Sequence, residues 1–532
     1  MDAIRLIMSG AVVGQELAAE FGPLPPSLLP VGAQRLYALQ LAQLEGAGPV
    51  CLVLPEAYAL SPFDRERLEA LNVEIVGLPE GLSLGEAVVF ALNSLGKGDL
   101  PVHILHGDTL IVDPPLNDVD VIVSGTSGGD YSWAEIDERH GRIQALEVIP
   151  AGEEGHGRPV AAGYFAFASS LDLVRAITRA RGDFIGGANL YLADHDVAPI
   201  AAREWLDFGH LQTFFRSRLA ATMARSFNTL RMDGLTARKS SADEAKMRAE
   251  ARWLRNAPSD LQIFCGRMIE TGVADGRGFY LTEYEYLPVL SELFALGQIG
   301  ERAWRRIIAS CEQFLRLCAA HKGDGGYGSG DTALRALAVD KTFARLETLA
   351  RSGFEIDQPL SLHGRACPSL LSIAERLAGA IDLASGRVES VMHGDFCFSN
   401  ILYSARVRRI KVIDPRGFVD GGATLFGDPR YDLAKLAHSI VGRYDQIIAG
   451  RFHARRSGRD YAIDFEPLPA QGWLEGMLGD VRVDGIGGAC DDVRAVMIGL
   501  FLSAPALHGD RPDRQLAMIA NALRLYLDLD RS

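Results

Sequence analysis

The 532-residue chain is longer than one typical domain, and its length indicates two to four domains. Hydrophobic residues make up 48% of the chain and charged residues 23%, the balance of a globular protein with sizeable cores. The formal net charge of −14 argues against a general nucleic-acid or anionic-membrane surface. No apolar run approaches the ~20 residues of a membrane span, and the first residues suit a strand better than a signal peptide, so we predict a cytoplasmic protein.

Seven cysteines are scattered along the chain, and none belongs to a C-x-x-C pair. This spacing indicates neither a zinc site nor a disulfide framework. We therefore expect reduced thiols, as is usual in the cytoplasm.

The first 220 residues alternate short apolar runs with segments of helical periodicity. The apolar runs, read as buried strands, are 4–8, 50–54, 73–76, 102–105 and 119–123. Segments 35–44 and 84–95 between them have the spacing of amphipathic helices. This alternation predicts a mostly parallel, helix-covered α/β sheet with ligands at the carboxyl ends of its strands.

The pattern changes near residue 220, and we predict domains at 1–220 and 221–532. Segments 226–232 and 235–240 flank Asp233-Gly234, which is a strong two-residue hairpin signal. A helix follows over about 242–255 and ends before Pro258. The remaining chain is predicted to be mainly helical, with helices in 300–320, 370–384, 430–450 and 490–530.

Two neighbouring segments, VMHGDFCFSNILY at 391–403 and IKVIDPRG at 410–417, carry the most specific pattern. Asp395 and Asn400 reproduce the D-x-x-x-x-N spacing of a kinase catalytic loop, and Asp414 follows an apolar run. Phosphoryl transfer needs a carboxylate near the attacking hydroxyl and oxygen ligands for Mg²⁺. The alternative is that Asp395 caps a turn and Asp414 ends an ordinary strand.

These residues resemble the aminoglycoside phosphotransferase and choline kinase family over roughly 222–532. The resemblance implies a two-lobed, protein-kinase-like α+β domain, with an N-lobe at about 221–290 and a C-lobe at about 291–532. It implies that Asp395 is the catalytic base, that Asn400 and Asp414 bind Mg²⁺, and that ATP is the phosphoryl donor. It further implies that His393 shapes the loop and that Asp432 braces the site.

The same resemblance places an ATP-binding lysine on the strand after the hairpin. Lys239 occupies that place, and Glu250 on the next helix is its expected partner, with Glu244 as the alternative. A glycine-rich G-x-G-x-x-G loop is absent from the hairpin. Ser226 and Asn228 are the candidate phosphate contacts there.

Residues 1 to about 210 resemble the sugar-nucleotide pyrophosphorylases, in segments such as PPSLLPVGAQRLYALQL (25–41), ILHGDTLI (104–111) and WLDFGH (205–210). The resemblance implies a Rossmann-like, GT-A-like nucleotidyltransferase sheet. Gly10 and Gly14 would contact nucleotide, and Asp108 and Asp207 would hold a metal. The family's loop arginine is missing and Ser27 replaces its lysine, which leaves Arg35 as the candidate cation.

Together these features predict a bifunctional transferase. One half would phosphorylate a small alcohol or amine with ATP, and the other would transfer a nucleotide from CTP or another triphosphate, for capsule or lipopolysaccharide decoration. The alternatives are an antibiotic-type phosphotransferase, for which we expect a strongly acidic cleft, and a nucleotide-binding scaffold. Acceptor contacts are expected from 284–290, Arg416 and 440–470, and homo-oligomerisation stays open.

Overall fold

The computed structural model describes residues 3–46, 48–152, 156–223, 230–232, 234–323 and 330–529. The chain forms two compact units, Met1–Thr222 and Met223–Ser532. Among the described residues, no helix is both long and apolar enough to span a membrane. All seven cysteines are free thiols, and six of them are buried.

The first unit alternates strands and helices. Its strands are β1 (Ile4–Met8), β2 (Pro30–Val31), β3 (Gln34–Arg35), β4 (Val50–Pro55), β5 (Val73–Leu78), β6 (Val102–His106), β7 (Thr109–Val112), β8 (Val121–Thr126), β9 (Trp133–Arg139), β10 (Arg142–Ile149), β11 (Pro159–Phe167), β12 (Ala198–Ala201) and β13 (Glu204–Asp207). Its helices are α1 (Gln15–Phe21), α2 (Leu36–Gln43), α3 (Pro62–Ala70), α4 (Leu84–Leu95), α5 (Ser170–Arg179), α6 (Phe184–Leu192) and α7 (Leu211–Met223).

The main sheet of this unit has nine strands, in the order β10-β9-β11-β6-β1-β4-β5, with β8 beside β11 and β12 beside β8. The strands β6, β1, β4 and β5 are parallel to one another. By contrast, β11 runs antiparallel to β6, β8 and β9, and β9 and β10 form an antiparallel hairpin. The sheet is therefore mixed, and the prediction of a mostly parallel sheet was wrong for its second half. There the chain reverses at His140-Gly141, both with positive φ, instead of crossing over through a helix.

Both faces of this sheet are buried, which explains the continuous apolar runs in its strands. Leu6, Val53 and Ile104 belong to one core cluster, which also contains buried residues of α4, α5 and α6. Ile7 and Leu52, with the opposite side-chain direction, belong to a second cluster with Tyr37 of α2. The sheet is thus covered by helices on both sides.

The second unit starts with a small sheet and continues as a mainly helical body. Its strands are β14 (Leu230–Met232), β15 (Thr236–Ser241), β16 (Met268–Ala274), β17 (Arg277–Glu283), β18 (Leu360–Leu362), β19 (Arg365–Cys367), β20 (Ser390–Val391), β21 (Ile401–Ser404), β22 (Arg409–Val412), β23 (Phe418–Val419), β24 (Gly422–Ala423), β25 (Phe426–Gly427), β26 (Phe452–Ser457), β27 (Asp460–Phe465), β28 (Arg482–Val483) and β29 (Ile486–Gly487). Its helices are α8 (Glu244–Asn256), α9 (Leu290–Ala295), α10 (Glu301–Ala320), α11 (Gly330–Leu334), α12 (Lys341–Arg351), α13 (Leu370–Ala380), α14 (Pro429–Ile440), α15 (Tyr444–Ile448), α16 (Gln471–Asp480), α17 (Asp491–Ser503) and α18 (Pro512–Leu529).

The small sheet is antiparallel, with the order β14-β15-β17-β16, and α8 packs against it. The pairing Leu230↔Lys239 places β14 and β15 as the arms of the predicted hairpin, whose Asp233 lies outside the described residues. Asp243 caps α8 by accepting a hydrogen bond from the backbone N–H of Lys246 at 2.9 Å. Lys239 and the buried face of α8 are thereby brought to the same side of this sheet.

The helical body contains one buried helix at its centre. Nearly all of α17 is buried, and it packs against α12, α13, α14 and α18. A helix that is apolar on all sides belongs inside a bundle, which explains why the predicted helical region at 490–530 lacks a polar face in its first half.

Candidate functional site

One β-hairpin brings the two halves of the kinase-like motif together. Asn400 directly precedes β21, and Asp414 comes two residues after the end of β22. The antiparallel register Ile401↔Val412 places these two ends side by side, and the N–H of Ile413 donates to the carbonyl of Asn400 at 3.0 Å. Asn400 and Asp414, fourteen positions apart in the sequence, therefore lie at the same end of a single hairpin.

Asp395 is held by two donors in this arrangement. Lys435 Nζ lies 2.7 Å from Asp395 Oδ1, and the Asn400 side-chain amide donates to Asp395 Oδ2 at 3.0 Å. Burial opposes the charge of Asp395, but Lys435 and Arg416 outweigh it and hold the pKa of this carboxyl well below its usual range. Asp395 is therefore a carboxylate at neutral pH, with lone pairs left to accept a further hydrogen bond.

The loop around Asp395 is fixed from behind by Asp432. Its two carboxylate oxygens accept the backbone N–H groups of His393 and Gly394 at 2.7 and 2.8 Å. Gly394 has a φ of 78°, and a Cβ at this position would lie 2.7 Å from the Cβ of Arg416, so the turn requires glycine. Asp432 thus holds the backbone of this loop, and its role in catalysis stays a prediction.

His393 belongs to the same support. It is fully buried, its Nε2 lies 3.0 Å from the carbonyl oxygen of Ile413, and its Nδ1 accepts from the N–H of Asp395 at 3.3 Å. Burial lowers the pKa of His393 to about 4, so the ring is neutral at pH 7. A neutral ring with both nitrogens engaged links the backbone of Asp395 to that of Ile413 and has no spare proton to exchange.

Lys239 lies between two carboxylates. Its Nζ is 2.8 Å from Glu250 Oε2 and 3.0 Å from Asp414 Oδ1. Burial opposes the charge of Lys239, but Asp414 and Glu250 raise its pKa above the ordinary value. Glu244 instead pairs with Arg248 at 3.3 Å, so of the two candidates Glu250 is the partner of Lys239.

These predicted residues line one cavity of about 500 Å³: Lys239, Glu250, Asp395, Asn400 and Asp414. The donor set suits Mg²⁺, because Asp414 offers a carboxylate and Asn400 uses its NH₂ group on Asp395, which leaves its amide oxygen as the available ligand. The candidate phosphate contacts Ser226 and Asn228 lie outside the described residues.

Several further residues of the site were missed from the sequence. Tyr280 donates to Asp414 Oδ1 at 3.1 Å, and Lys435 pairs with Asp395. Lys435 follows Asp432 by one helical turn on α14, so the helical spacing carried a signal for it. Lys341 and Arg345 on α12 also line the cavity, and no local motif marks them.

Of the expected acceptor contacts, Arg416 and Tyr444 line the cavity, whereas no residue of 284–290 does.

The first unit holds the second predicted pair of carboxylates. Asp108 and Asp207 both line a cavity of about 420 Å³ at the end of the sheet. A Cβ at Gly209 would collide with the Asp108 carboxylate and lie 3.2 Å from Asp207 Oδ1, so the two side chains flank one point. His210 Nδ1 and Thr213 Oγ1 contact Asp207 Oδ2 at 3.0 and 2.5 Å. Burial raises the pKa of Asp108.

The described residues that line this cavity supply none of the cations expected beside a triphosphate. Among the residues that line it within the described chain, there is no lysine or arginine. Ser27 is fully buried and its hydroxyl donates to the carbonyl of Gly107 at 3.0 Å. Arg35 is also buried, with its guanidinium on the carbonyl of Leu28 at 2.8 Å and on Asp64 at 3.4 Å, so it stabilises the fold and does not replace a phosphate-binding cation.

Gly10 and Gly14 are not among the residues lining that cavity. A Cβ at Gly10 would collide with Cδ1 of Leu78, so a larger residue there would require this buried side chain to shift. A Cβ at Gly14 would meet open space. Their predicted nucleotide contact stays a prediction.

No family model matches the chain, and no curated protein matches it. Solved structures are similar to it over parts of its length. The choline kinase LicA from Streptococcus pneumoniae is 12% identical, with 56% of this chain and 89% of that chain covered and a TM-score of 0.33. An aminoglycoside-3'-phosphotransferase of type VIII is 16% identical, with 58% and 97% covered and a TM-score of 0.28.

HddC from Yersinia pseudotuberculosis is 14% identical, with 42% of this chain and 100% of that chain covered and a TM-score of 0.32. At these identities and TM-scores, the likenesses assign no function to this chain. The functional assignment rests on the geometry of its side chains.

Proposed function

We propose that residues 223–532 form an ATP-dependent phosphotransferase that acts on a hydroxyl or amine of a small molecule. The observation that carries the proposal is the convergence of Lys239, Asp395, Asn400 and Asp414 on one cavity. A helix-backed antiparallel sheet that supplies the lysine, followed by a helical body that supplies the carboxylates, supports the same reading.

Each side chain has a role that its contacts support. Lys239, oriented by Glu250, would bind the phosphates of the nucleotide, and Asn400 and Asp414 would hold Mg²⁺, which supplies charge neutralisation at those phosphates. Asp395 would orient the acceptor hydroxyl and take its proton. A carboxylate of low basicity suits this role, because the transition state of phosphoryl transfer is loose and the proton moves late.

Paired measurements of nucleotide binding and turnover test this assignment. Asp395→Asn should bind Mg-ATP as the wild type does while turnover falls by about 10²–10⁴-fold, because only the proton acceptor is lost. Lys239→Met should weaken nucleotide binding itself. Asp420→Asn, an exposed carboxylate on the following loop, is the matched control and should leave both unchanged. Turnover that survives in Asp395→Asn would contradict the proposed base, and binding without turnover in the wild type would favour the scaffold.

A second candidate activity, nucleotidyl transfer, is supported in the first unit by Asp108 and Asp207 flanking one point of a cavity. Such a pair can hold a metal at a reacting phosphate. The lack of lysine and arginine among the described lining residues favours binding of a nucleotide or activated product over fast transfer.

Incubation of the protein with the phosphorylated product of the second unit and with CTP, or each of the other triphosphates, tests for nucleotidyl transfer. A nucleotide-linked product lost in Asp108→Asn would support transfer, and its absence would leave a binding unit. A role in capsule or lipopolysaccharide decoration requires such a product.

A further inference from the structure

A group of four cations faces the phosphotransferase cavity from the helical body. Lys341 and Arg345 come from α12, Arg416 follows the proposed metal ligand Asp414, and Lys435 comes from α14. Arg416, Arg345 and Lys435 all lie close enough to disfavour the charge of Lys341, and Asp395 is the carboxylate that favours it. We call these four residues the cation group.

Most of the cation group lies beyond ion-pair distance of any described carboxylate. Within the described part of the chain, Lys435 alone of the four has a carboxylate within ion-pair distance, and that carboxylate is Asp395. Arg345 donates to the hydroxyl of Ser503 at 3.3 Å, and Arg416 donates to the carbonyl of Gly394 at 2.9 Å. The guanidinium groups of Arg345 and Arg416 therefore donate hydrogen bonds to uncharged oxygens.

The positive charge of Lys341 is unfavourable in this arrangement. It is half-buried, and its side-chain ammonium makes no hydrogen bond or ion pair with any described residue. Burial first, and then the neighbouring Arg416 and Arg345, lower its pKa to about 7. Several cations packed together at a partly buried site are unfavourable unless an anion joins them.

His438 provides an independent sign of a polar ligand. This residue of α14 lines the same cavity, its exposed fraction is 4%, and neither ring nitrogen has a hydrogen-bond partner among the described residues. Buried polar atoms are nearly always hydrogen-bonded. Because burial keeps the ring neutral, one nitrogen can donate to a ligand while the other accepts.

We infer that the phosphoryl acceptor is itself an anion, a hydroxyl compound whose carboxylate or phosphate group binds Lys341, Arg345 and Arg416. His438 would hydrogen-bond to one of its polar groups. This inference rests on the proposed phosphotransferase function. In the reaction, the acceptor hydroxyl oxygen forms a bond to the γ-phosphorus of ATP, the bond from that phosphorus to the β–γ bridging oxygen breaks, ADP leaves, and the hydroxyl proton passes to Asp395.

The inference distinguishes between acceptor classes. A cationic acceptor such as an aminoglycoside or choline would meet positive charges in this part of the cavity and be repelled. A carboxylate or phosphate would instead form charge-assisted hydrogen bonds with the two guanidinium groups. The triphosphate of ATP is the other anion that the cation group could serve, and the experiment separates the two.

The test uses the full chain with Mg-ATP and four sugars that share one ring: glucose, glucuronate, glucose 6-phosphate and glucosamine. ADP formation and product mass are measured for each. We expect glucuronate or glucose 6-phosphate to exceed glucose by about tenfold or more in kcat/KM, with glucosamine lowest. Equal or better turnover of glucosamine would overturn the anionic acceptor while leaving the phosphotransferase in place.

Binding decides the outcome if no sugar in the panel is turned over. Wild-type protein saturated with Mg-AMP-PNP should bind glucuronate or inorganic phosphate in a calorimetric titration, and Lys341→Met should weaken that binding by about tenfold. Arg351→Met, an exposed residue on the same helix, is the matched control and should change nothing. Failure of the nucleotide-saturated wild type to bind either anion at millimolar concentration would overturn the inference.

Measuring Mg-AMP-PNP binding to the same variants shows whether the cation group binds the acceptor anion or the triphosphate of ATP. If Lys341→Met weakens Mg-AMP-PNP binding and leaves anion binding unchanged, the cation group serves the triphosphate and the inference fails. If the wild type binds no nucleotide at all, the proposed phosphotransferase itself fails.

Discussion

Lys435 Nζ contacts Asp395 Oδ1 at 2.7 Å, so the proposed base is ion-paired with a lysine from the following helix. That helix, α14, also supplies Asp432, which holds the loop of Asp395 from behind. One helix therefore fixes both the charge and the position of the proposed base. The same lysine is one of the cations that face the acceptor side of the cavity.

The first prediction concerns that ion pair. Lys435→Met should lower kcat by about tenfold to a hundredfold, because the carboxylate loses the contact that orients it, while the KM for ATP changes by less than about twofold. Lys435→Arg, which keeps the charge, should recover part of the loss. Steady-state kinetics on the three proteins measures this. A rise in the KM for ATP with unchanged kcat would instead place Lys435 at the nucleotide.

The second prediction concerns Asp414 as a metal ligand. Asp414→Asn should raise the Mg²⁺ concentration needed for half-maximal turnover by about tenfold or more, because a neutral amide is a weaker ligand for a hard cation than a carboxylate. Asparagine tolerates the positive φ of 55° at this position, so the backbone should be preserved. An unchanged Mg²⁺ dependence, relative to Asp420→Asn as the control, would exclude Asp414 from the metal site.

The third prediction concerns stability. Arg430 is 1% exposed and its guanidinium contacts Asp428, Asp331 and Asp492 at 2.7, 2.7 and 2.6 Å. Arg430→Met would leave these carboxylates without their cation, and we expect the free energy of unfolding to fall by about 3–5 kcal/mol. Urea unfolding measures the difference. Arg351→Met should fall within about 0.5 kcal/mol of the wild type, and an equal loss in both variants would contradict the account.

The fourth prediction is a pH dependence of acceptor binding. The pKa of Lys341 is lowered to about 7, so this lysine is charged at pH 6 and mostly neutral at pH 8 in the free protein. An anion binds the charged form better, so affinity is fully present below pH 7 and falls as the pH rises through that value. Glucuronate is the suitable probe, because a carboxyl group with an ordinary pKa of about 4 stays ionised over this range.

Burial raises the pKa of Asp432, which holds the Asp395 loop from behind, to about 7, so this carboxyl also titrates in that window. Burial lowers the pKa values of the two histidines that line the cavity, and the guanidinium groups and Lys435 stay charged. Affinity for glucuronate in Lys341→Met should therefore fall less between pH 6 and pH 8 than that of the wild type, and the difference between the two proteins reports the charge of Lys341. A wild-type affinity that does not change across this range would contradict the role of Lys341.

The parts of the fold that could be predicted are those in which local pattern and tertiary environment agree. The strand β1 and the helix α4 were predicted at their observed bounds, because a strand buried on both faces is a continuous apolar run and a half-buried helix has helical spacing of apolar residues. In the structure, a capping box of Ser83 and Glu86 fixes the start of α4. The antiparallel half of the first sheet was missed, since β9 and β10 alternate polar and apolar residues and their partner strands are chosen by packing rather than by local sequence.

The candidate site likewise contains residues that local sequence predicts and residues that only tertiary packing brings together. Asp395, Asn400 and Asp414 could be singled out because the spacing of a kinase catalytic loop is local in sequence and because one short hairpin joins Asn400 to Asp414. Lys341 and Arg345 could not, because only the packing of α12 against α17 brings them to the cavity. A surface helix with two cations has the same sequence pattern as a helix that faces a ligand, so the distinction lies in the tertiary structure.

Transfer of radiolabel from [γ-³²P]ATP to a small molecule in a metabolite extract tests the central claim most directly. Wild-type protein should produce a labelled compound other than inorganic phosphate, and its formation should fall by about 10²–10⁴-fold in Asp395→Asn but not in Asp420→Asn. Label found in inorganic phosphate alone, or a labelled product formed equally by wild type and Asp395→Asn, would contradict the account.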